Sequence, residues 1–142
     1  MASLEVRNAV KAAVISAASP IDVFDLSDYV TLDECLGDVT SEAVLIQYIA
    51  SDENIQTIGG YGNQGYEETD SVALHYMVPT GFDSSPTVAT GDSIREDLRG
   101  QRLTSDITVE SVSPFIDMPS GLYGGAWHGW VSNLFIVRRD CG

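Results

Sequence analysis

The order of patterns in the second half of the chain constrains the fold most. An alternating segment, roughly Glu68–Val78, runs into Pro79-Thr80-Gly81. A helical pattern with clear start and stop signals follows, then two more alternating segments separated by Gly124-Gly125. In the first segment Val72, Leu74, Tyr76 and Val78 share one face and Ala73, His75 and Met77 the other, the period of two that a strand imposes. Pro79 has no amide hydrogen to give a ladder and closes the strand. Ser85 is placed to cap the helix, with Pro86 at its first position, where a missing N–H does no harm. Val88, Gly91, Ile94 or Arg95, and Leu98 mark its buried stripe, and Gly100 suits the left-handed position after its end. Ile107–Ile116 and Trp127–Arg138 complete a strand–helix–strand–strand order, with Phe135 and Val137, or Leu134 and Ile136, facing inward.

The first half adds a helix and a strand. Leu4–Ala18 is amphipathic: Val6, Val10, Val14 and Ala17 recur at i+4 and i+3 spacing, Ser3 is the cap, and Pro20 stops propagation. Ile21–Glu42 is less regular. Thr31-Leu32-Asp33-Glu34 has capping-box spacing and Gly37 is placed as a stop, which predicts one short helical turn. Ala43–Ala50 is an apolar run that reads as a strand buried on both faces or nearly so, with Asn54–Ile58 extending or pairing with it. The chain of 142 residues fits one domain, 1–142, of class α+β. The expected architecture is an antiparallel sheet of about four main strands with two helices packed on one face. The segments Gly59–Gly65 and Asp117–Gly125 are then exposed loops.

Charge narrows the partners. Twenty-one acidic residues face seven Lys+Arg, a formal net charge of −14, and no cation occurs from Ala12 to Ile94. Such a surface repels nucleic acid and anionic membranes. It suits solubility, and it also suits high salt, because near 1 M the Debye length falls to about 3 Å and self-repulsion is screened. The lysine-poor, Asp/Glu-rich composition resembles proteins of halophilic microbes or their viruses. No apolar run is long enough to span a bilayer. The N-terminus lacks a basic stretch followed by an apolar one, so a soluble protein made in a cytoplasm is expected.

The residues themselves specify no reaction. The two cysteines, Cys35 and Cys141, form no disulfide framework and are read as free thiols. His75 lies mid-strand among apolar neighbours, where a core or edge histidine with one satisfied hydrogen bond is expected. His128, between Trp127 and Trp130, is read as part of an aromatic cluster. No metal-ligand spacing, phosphate loop or nucleophile elbow occurs, so no catalytic, cofactor or metal residue is expected. The pairs Asp33-Glu34, Asp52-Glu53 and Glu67-Glu68 fall in stretches that look like loops or strand ends and are read as solvated charge. Arg7 and Lys11, one helical turn apart, form either a solvated face or a contact for an acidic neighbour.

Glu68 to Arg139 resembles the tail terminator proteins of long-tailed double-stranded DNA viruses. The matching elements are the strand end Tyr76-Met77-Val78-Pro79-Thr80-Gly81 and the helix end Ile94-Arg95-Glu96-Asp97-Leu98-Arg99-Gly100 leading into Leu103. They continue with Ile107-Thr108-Val109 in a strand ending at Phe115, and with the closing strand Trp127-His128-Gly129-Trp130-Val131-Ser132-Asn133-Leu134-Phe135. The Leu4–Ala18 helix matches as well, and together these cover about two-thirds of the chain.

The resemblance implies a structural virion protein that forms a ring, commonly of six subunits, at the head-proximal end of the tail tube. There it ends tube polymerisation and gives the head–tail connector a docking face. The implied partners are other copies of the chain, the tail tube protein and the connector. Viral DNA passes through the lumen without specific binding, and a wall of like charge lets it slide. Subunit or tube contacts are expected on the Gly59–Gly65 loop with Tyr61 and Asn63, and on the Asp117–Gly125 loop with Leu122 and Tyr123. The scarce cations Arg95, Arg99, Arg102, Arg138 and Arg139 are expected to contribute too. The alternatives are another ring protein of the neck or tube, a small acidic enzyme using His75 or His128 with a carboxylate, and a monomeric binding module.

Overall fold

Ser3 sets the first element: its Oγ accepts from the Val6 amide at 3.4 Å, opening helix α1 (Leu4–Ala18). Val6, Val10, Val14 and Ala18 make the buried stripe, so the stripe ends on Ala18 rather than Ala17. The computed structural model describes residues 3–19, 21–39, 42–55, 66–79, 84–118 and 127–140. After α1 come strand β1 (Asp22–Asp25), a 3-10 turn (Leu26–Asp28), helix α2 (Leu32–Asp38) and strands β2 (Ala43–Ile55) and β3 (Tyr66–Pro79). Helix α3 (Ser84–Leu98) and strands β4 (Ile107–Val112), β5 (Ile116–Met118) and β6 (Trp127–Asp140) complete the chain.

The sheet runs β1-β2-β3-β6-β4, with β5 also on β6. It is mixed rather than antiparallel throughout, because β1 lies parallel to β2 and α2 makes the crossover between them. Sequence reasoning missed β1: four residues with Asp at both ends carry little strand propensity, and pairing supplies the rest. The expected four main strands and two helices thus become six strands and three helices among the described residues. The expected Ile107–Ile116 strand is broken in two, since Pro114 cannot donate to a ladder. Around the break, the Ser113 amide bonds the Asn133 carbonyl at 2.9 Å and the Ser113 Oγ accepts from the Asn133 amide at 2.8 Å.

Two layers of core result. On one face α1 and α3 cover Val44, Ile46, Val72, Leu74, Tyr76, Leu134 and Ile136, so Leu134 and Ile136 are the inward pair of β6. On the other face α2 covers only one end, where Cys35 and Val39 meet Ala43, Leu45 and Met77. The two helices expected on one face are there; α2 is the third, on the opposite side. Thr31 caps α2, accepting from the Glu34 amide at 3.2 Å, but the helix runs through Gly37 to Asp38. Gly100 does take the left-handed conformation, φ +72°, and ends α3 as expected. Beyond Ile46 the β2 strand leaves the core: Gln47, Ile49 and Ala50 are exposed, and Ile49 sits at a bulge. The strand is therefore buried on both faces only over Ala43–Ile46.

Candidate functional site

The scarce cations sort into those held by their own chain and those left outward. On α3, Arg95 donates from Nε to the Val112 carbonyl at 3.0 Å and ties the helix to β4. Arg139 meets Glu67 at 3.0 Å across β6 and β3. The Arg7 guanidinium lies 4.3 Å from the centre of the Tyr48 ring, and Lys11 is 3.8 Å from Asp28, so both contact their own chain. Arg99 follows the last turn of α3 and Arg102 forms a bridge with Thr108 at the sheet edge; both side chains are exposed. Neither makes an ion pair or side-chain hydrogen bond among the described residues. Tyr61, Asn63, Leu122 and Tyr123 lie outside the described residues.

Arg138 closes an acidic corner under the start of α1. It pairs with Glu5 at 3.0 Å and with Glu68 at 3.8 Å. Glu68 in turn accepts from the Ser3 amide and hydroxyl at 3.3 and 3.4 Å, which places a carboxylate at the positive end of the helix. Beside it, Asp70 is 2% exposed and accepts from the Ser51 hydroxyl. Burial, and then the adjacent Glu68 carboxyl, raise the Asp70 pKa to about 7 against the pull of Ser51. For Glu68 burial works against the charge, but Asp70, the Ser3 donors and Arg138 outweigh it and hold its pKa below the ordinary value. Asp70 Oδ2 and Arg138 Nε are buried without a hydrogen-bond partner among the described residues. The reading of Glu67-Glu68 as solvated charge is thereby corrected: both lie within β3 and both bind arginines of β6. The reason is register, since Glu68 faces Arg138 and Glu67 faces Arg139.

His75 is buried on the other face and its Nε2 meets Gln47 Oε1 at 2.8 Å, so it has the satisfied bond expected of it. Burial pushes its pKa down to about 4, and the ring is neutral at pH 7. His128 stacks on Trp130 with ring centres 4.5 Å apart and planes 13° from parallel. The two histidines lie on opposite faces of the sheet, since Val78, the partner of His128, belongs to the helix-covered face that His75 faces away from. Among the described residues, no three His, Cys, Asp or Glu side chains gather as metal ligands.

The aromatic cluster continues inward to a cavity. Trp130 meets Tyr76 edge-on at 6.0 Å, and Tyr76 meets Phe115 edge-on at 6.4 Å. These three rings, with Gly91 and Ile116, line a cavity of about 450 Å³ that Asp92 and Asp117 also border. A Cβ at Gly91 would stand 3.4 Å from the Phe115 ring, in van der Waals contact with it. The Tyr76 hydroxyl donates to Glu42 at 2.5 Å, which fixes the central ring. Sequence reasoning found Trp130 and His128 but not the cavity, because its walls come from β3, α3, β5 and β6. The pairing of Asp117 with Trp130 in β5, inside the expected loop, is what brings the acid to the rings.

No protein-family model matches this chain, and no curated protein is significantly similar to it. No described helix is long and apolar enough to cross a membrane.

Proposed function

We propose that this chain is a ring-forming structural protein of a long-tailed virus, placed at the head-proximal end of the tail tube. There it ends tube polymerisation and presents a docking face to the head–tail connector. The reading rests on the resemblance of Glu68 to Arg139 to tail terminator proteins. One structural observation carries it: the sheet face opposite α1 and α3 is covered by α2 at one end only. Phe135 and Ile116 lie on the uncovered part, 50% and 62% exposed, with Ile49 at the bulge, 55% exposed. A sheet face left open by the helices is a surface that a partner can cover.

The ring interpretation requires two complementary flanks per subunit and an axial face for the tube. DNA would pass through the lumen unheld, repelled by the acidic wall, and the same acidity would suit a saline host. Sizing by light scattering and electron microscopy, alone and with tube subunits, tests the reading. One closed ring that halts tube growth is the expected result. Long cylinders would make the chain a tube protein, and a monomer at every concentration would end the ring reading. A melting temperature that falls on dialysis from molar to millimolar salt is expected if the acidity is an adaptation to salt.

A further inference from the structure

The cavity between α3 and β5 has acid and aromatic walls and no cation among the described residues that line it. Asp92 and Asp117 are exposed beside it, and neither pairs with a basic group among the described residues. Tyr76 meets Phe115 at 77° and Trp130 at 66°; Tyr76 and Trp130 are buried, so the half-buried Phe115 gives the cavity most of its open ring surface. This combination suits a planar, weakly hydrated cation that stacks on rings while its N–H groups reach carboxylates. The chain carries seven basic residues. Five of them contact their own chain: Arg7 with Tyr48, Lys11 with Asp28, Arg95 with Val112, Arg138 with Glu5 and Glu68, and Arg139 with Glu67. Arg99 and Arg102 remain outward.

We propose that the cavity is a socket for the Arg99/Arg102 pair of a second copy of this chain. The inference rests on the ring reading and names its lateral contact. Arg102 bridges Thr108, which pairs with Val137, whereas the socket lies where Asp117 pairs with Trp130. Seven strand positions separate those levels, about 23 Å at the usual rise per residue. Arg102 therefore cannot fill the socket of its own copy, and Arg99, seven residues past Asp92 and about 10 Å along the helix, makes no ion pair with it among the described residues. Arg102 and the socket sit at opposite ends of one flank, and head-to-tail engagement leaves one of each free until the assembly closes.

Paired charge reversal tests this. Sedimentation velocity would be run on the wild type, on Arg99→Glu/Arg102→Glu and on Asp92→Arg/Asp117→Arg, with circular dichroism to confirm folding. The expected result is a ring for the wild type, a folded monomer for each variant, and recovery of the oligomer when the two variants are mixed in equal amounts. If the reversed socket misfolds, Asp92→Asn/Asp117→Asn must show at least a tenfold weakening of assembly instead. A wild-type ring that both variants still form would overturn the socket and leave the ring reading standing. A wild-type dimer abolished by either reversal would keep the socket and end the ring reading, because two copies would then fill each other's sockets at once. A wild-type monomer would end both.

Discussion

Two acidic corners lie on the same helix-covered side of the sheet, and they have opposite fates. Under the start of α1, Glu5 and Glu68 pair with Arg138, and Asp70 lies buried beside Glu68, so the protein's own cation closes the corner. Between α3 and β5, Asp92 and Asp117 border an aromatic cavity without a cation of their own. Where the chain supplies a counter-charge the acids become part of the fold, with shifted pKa values and buried atoms. Where it supplies none they stay outward, available to another molecule. In a chain with one cation for every three acids, placement of the cations decides which corner is structural.

Breaking the closed corner gives the largest effect. Arg138→Met removes the guanidinium and leaves Glu68 and Glu5 without it. The expected loss is about 3 kcal/mol, at the low end for a broken buried pair because Glu5 is exposed. At this chain length that is roughly a 10 °C drop in Tm, read by calorimetry. Survival of the wild-type Tm would mean that the closed corner is no more structural than the open one.

The next effect is one of pH. Asp70 holds its proton up to about pH 7 in the folded state, so its contribution is full below its ordinary value near 4 and is lost as pH rises through 7. His75 works in the opposite direction: its folded pKa of about 4 lies below the ordinary 6.5, so stability is lost as pH falls from 6.5 towards 4. Over pH 4 to 6.5 the two slopes oppose each other. Asp70→Asn removes the first and uncovers the second, up to ~3 kcal/mol for a shift of that size. Urea unfolding of the variant should therefore show stability rising with pH across that window more steeply than in the wild type. An unchanged slope would remove Asp70 from the account of the closed corner.

Two smaller changes sharpen the account of the open corner. Tyr76→Phe deletes the hydroxyl that bonds Glu42 and should cost about 1.5 kcal/mol while leaving the aromatic cavity in place. Gly91→Ala gains helix propensity of about 1 kcal/mol, opposed by a Cβ 3.4 Å from Phe115, so its net effect on Tm should be the smallest of the set. Destabilisation of several kcal/mol by Gly91→Ala would mean that α3 and Phe115 are locked together far more rigidly than the cavity between them suggests.

Both corners were hidden in the sequence for the same reason. Local pattern revealed α1, the two faces of β3 and the stop at Gly100, because each depends on spacing within one element, while it left open which pair of β6 faces inward until packing chose Leu134 and Ile136. It could not reveal that Glu68 meets Arg138, seventy positions away, or that Asp117 pairs with Trp130, since strand register decides both. Strand β1 was invisible for a related reason: its stability comes from a parallel partner reached through α2, not from its own four residues. Gly37 misled in the other direction. A glycine was read as a stop, but the helix passes through it to Asp38, with Val39 as its cap.

The interruption at Ser113-Pro114-Phe115 has a consequence for assembly. An uninterrupted outer strand presents a row of amide donors and carbonyl acceptors onto which a foreign strand can zip, and crowded copies would then stack without limit. Here the outer strand is cut by a residue with no N–H, and the bulge at Glu110 skews the row on one side of the cut. Such an edge discourages backbone annealing, and in the proposed ring it would leave recognition to particular side chains.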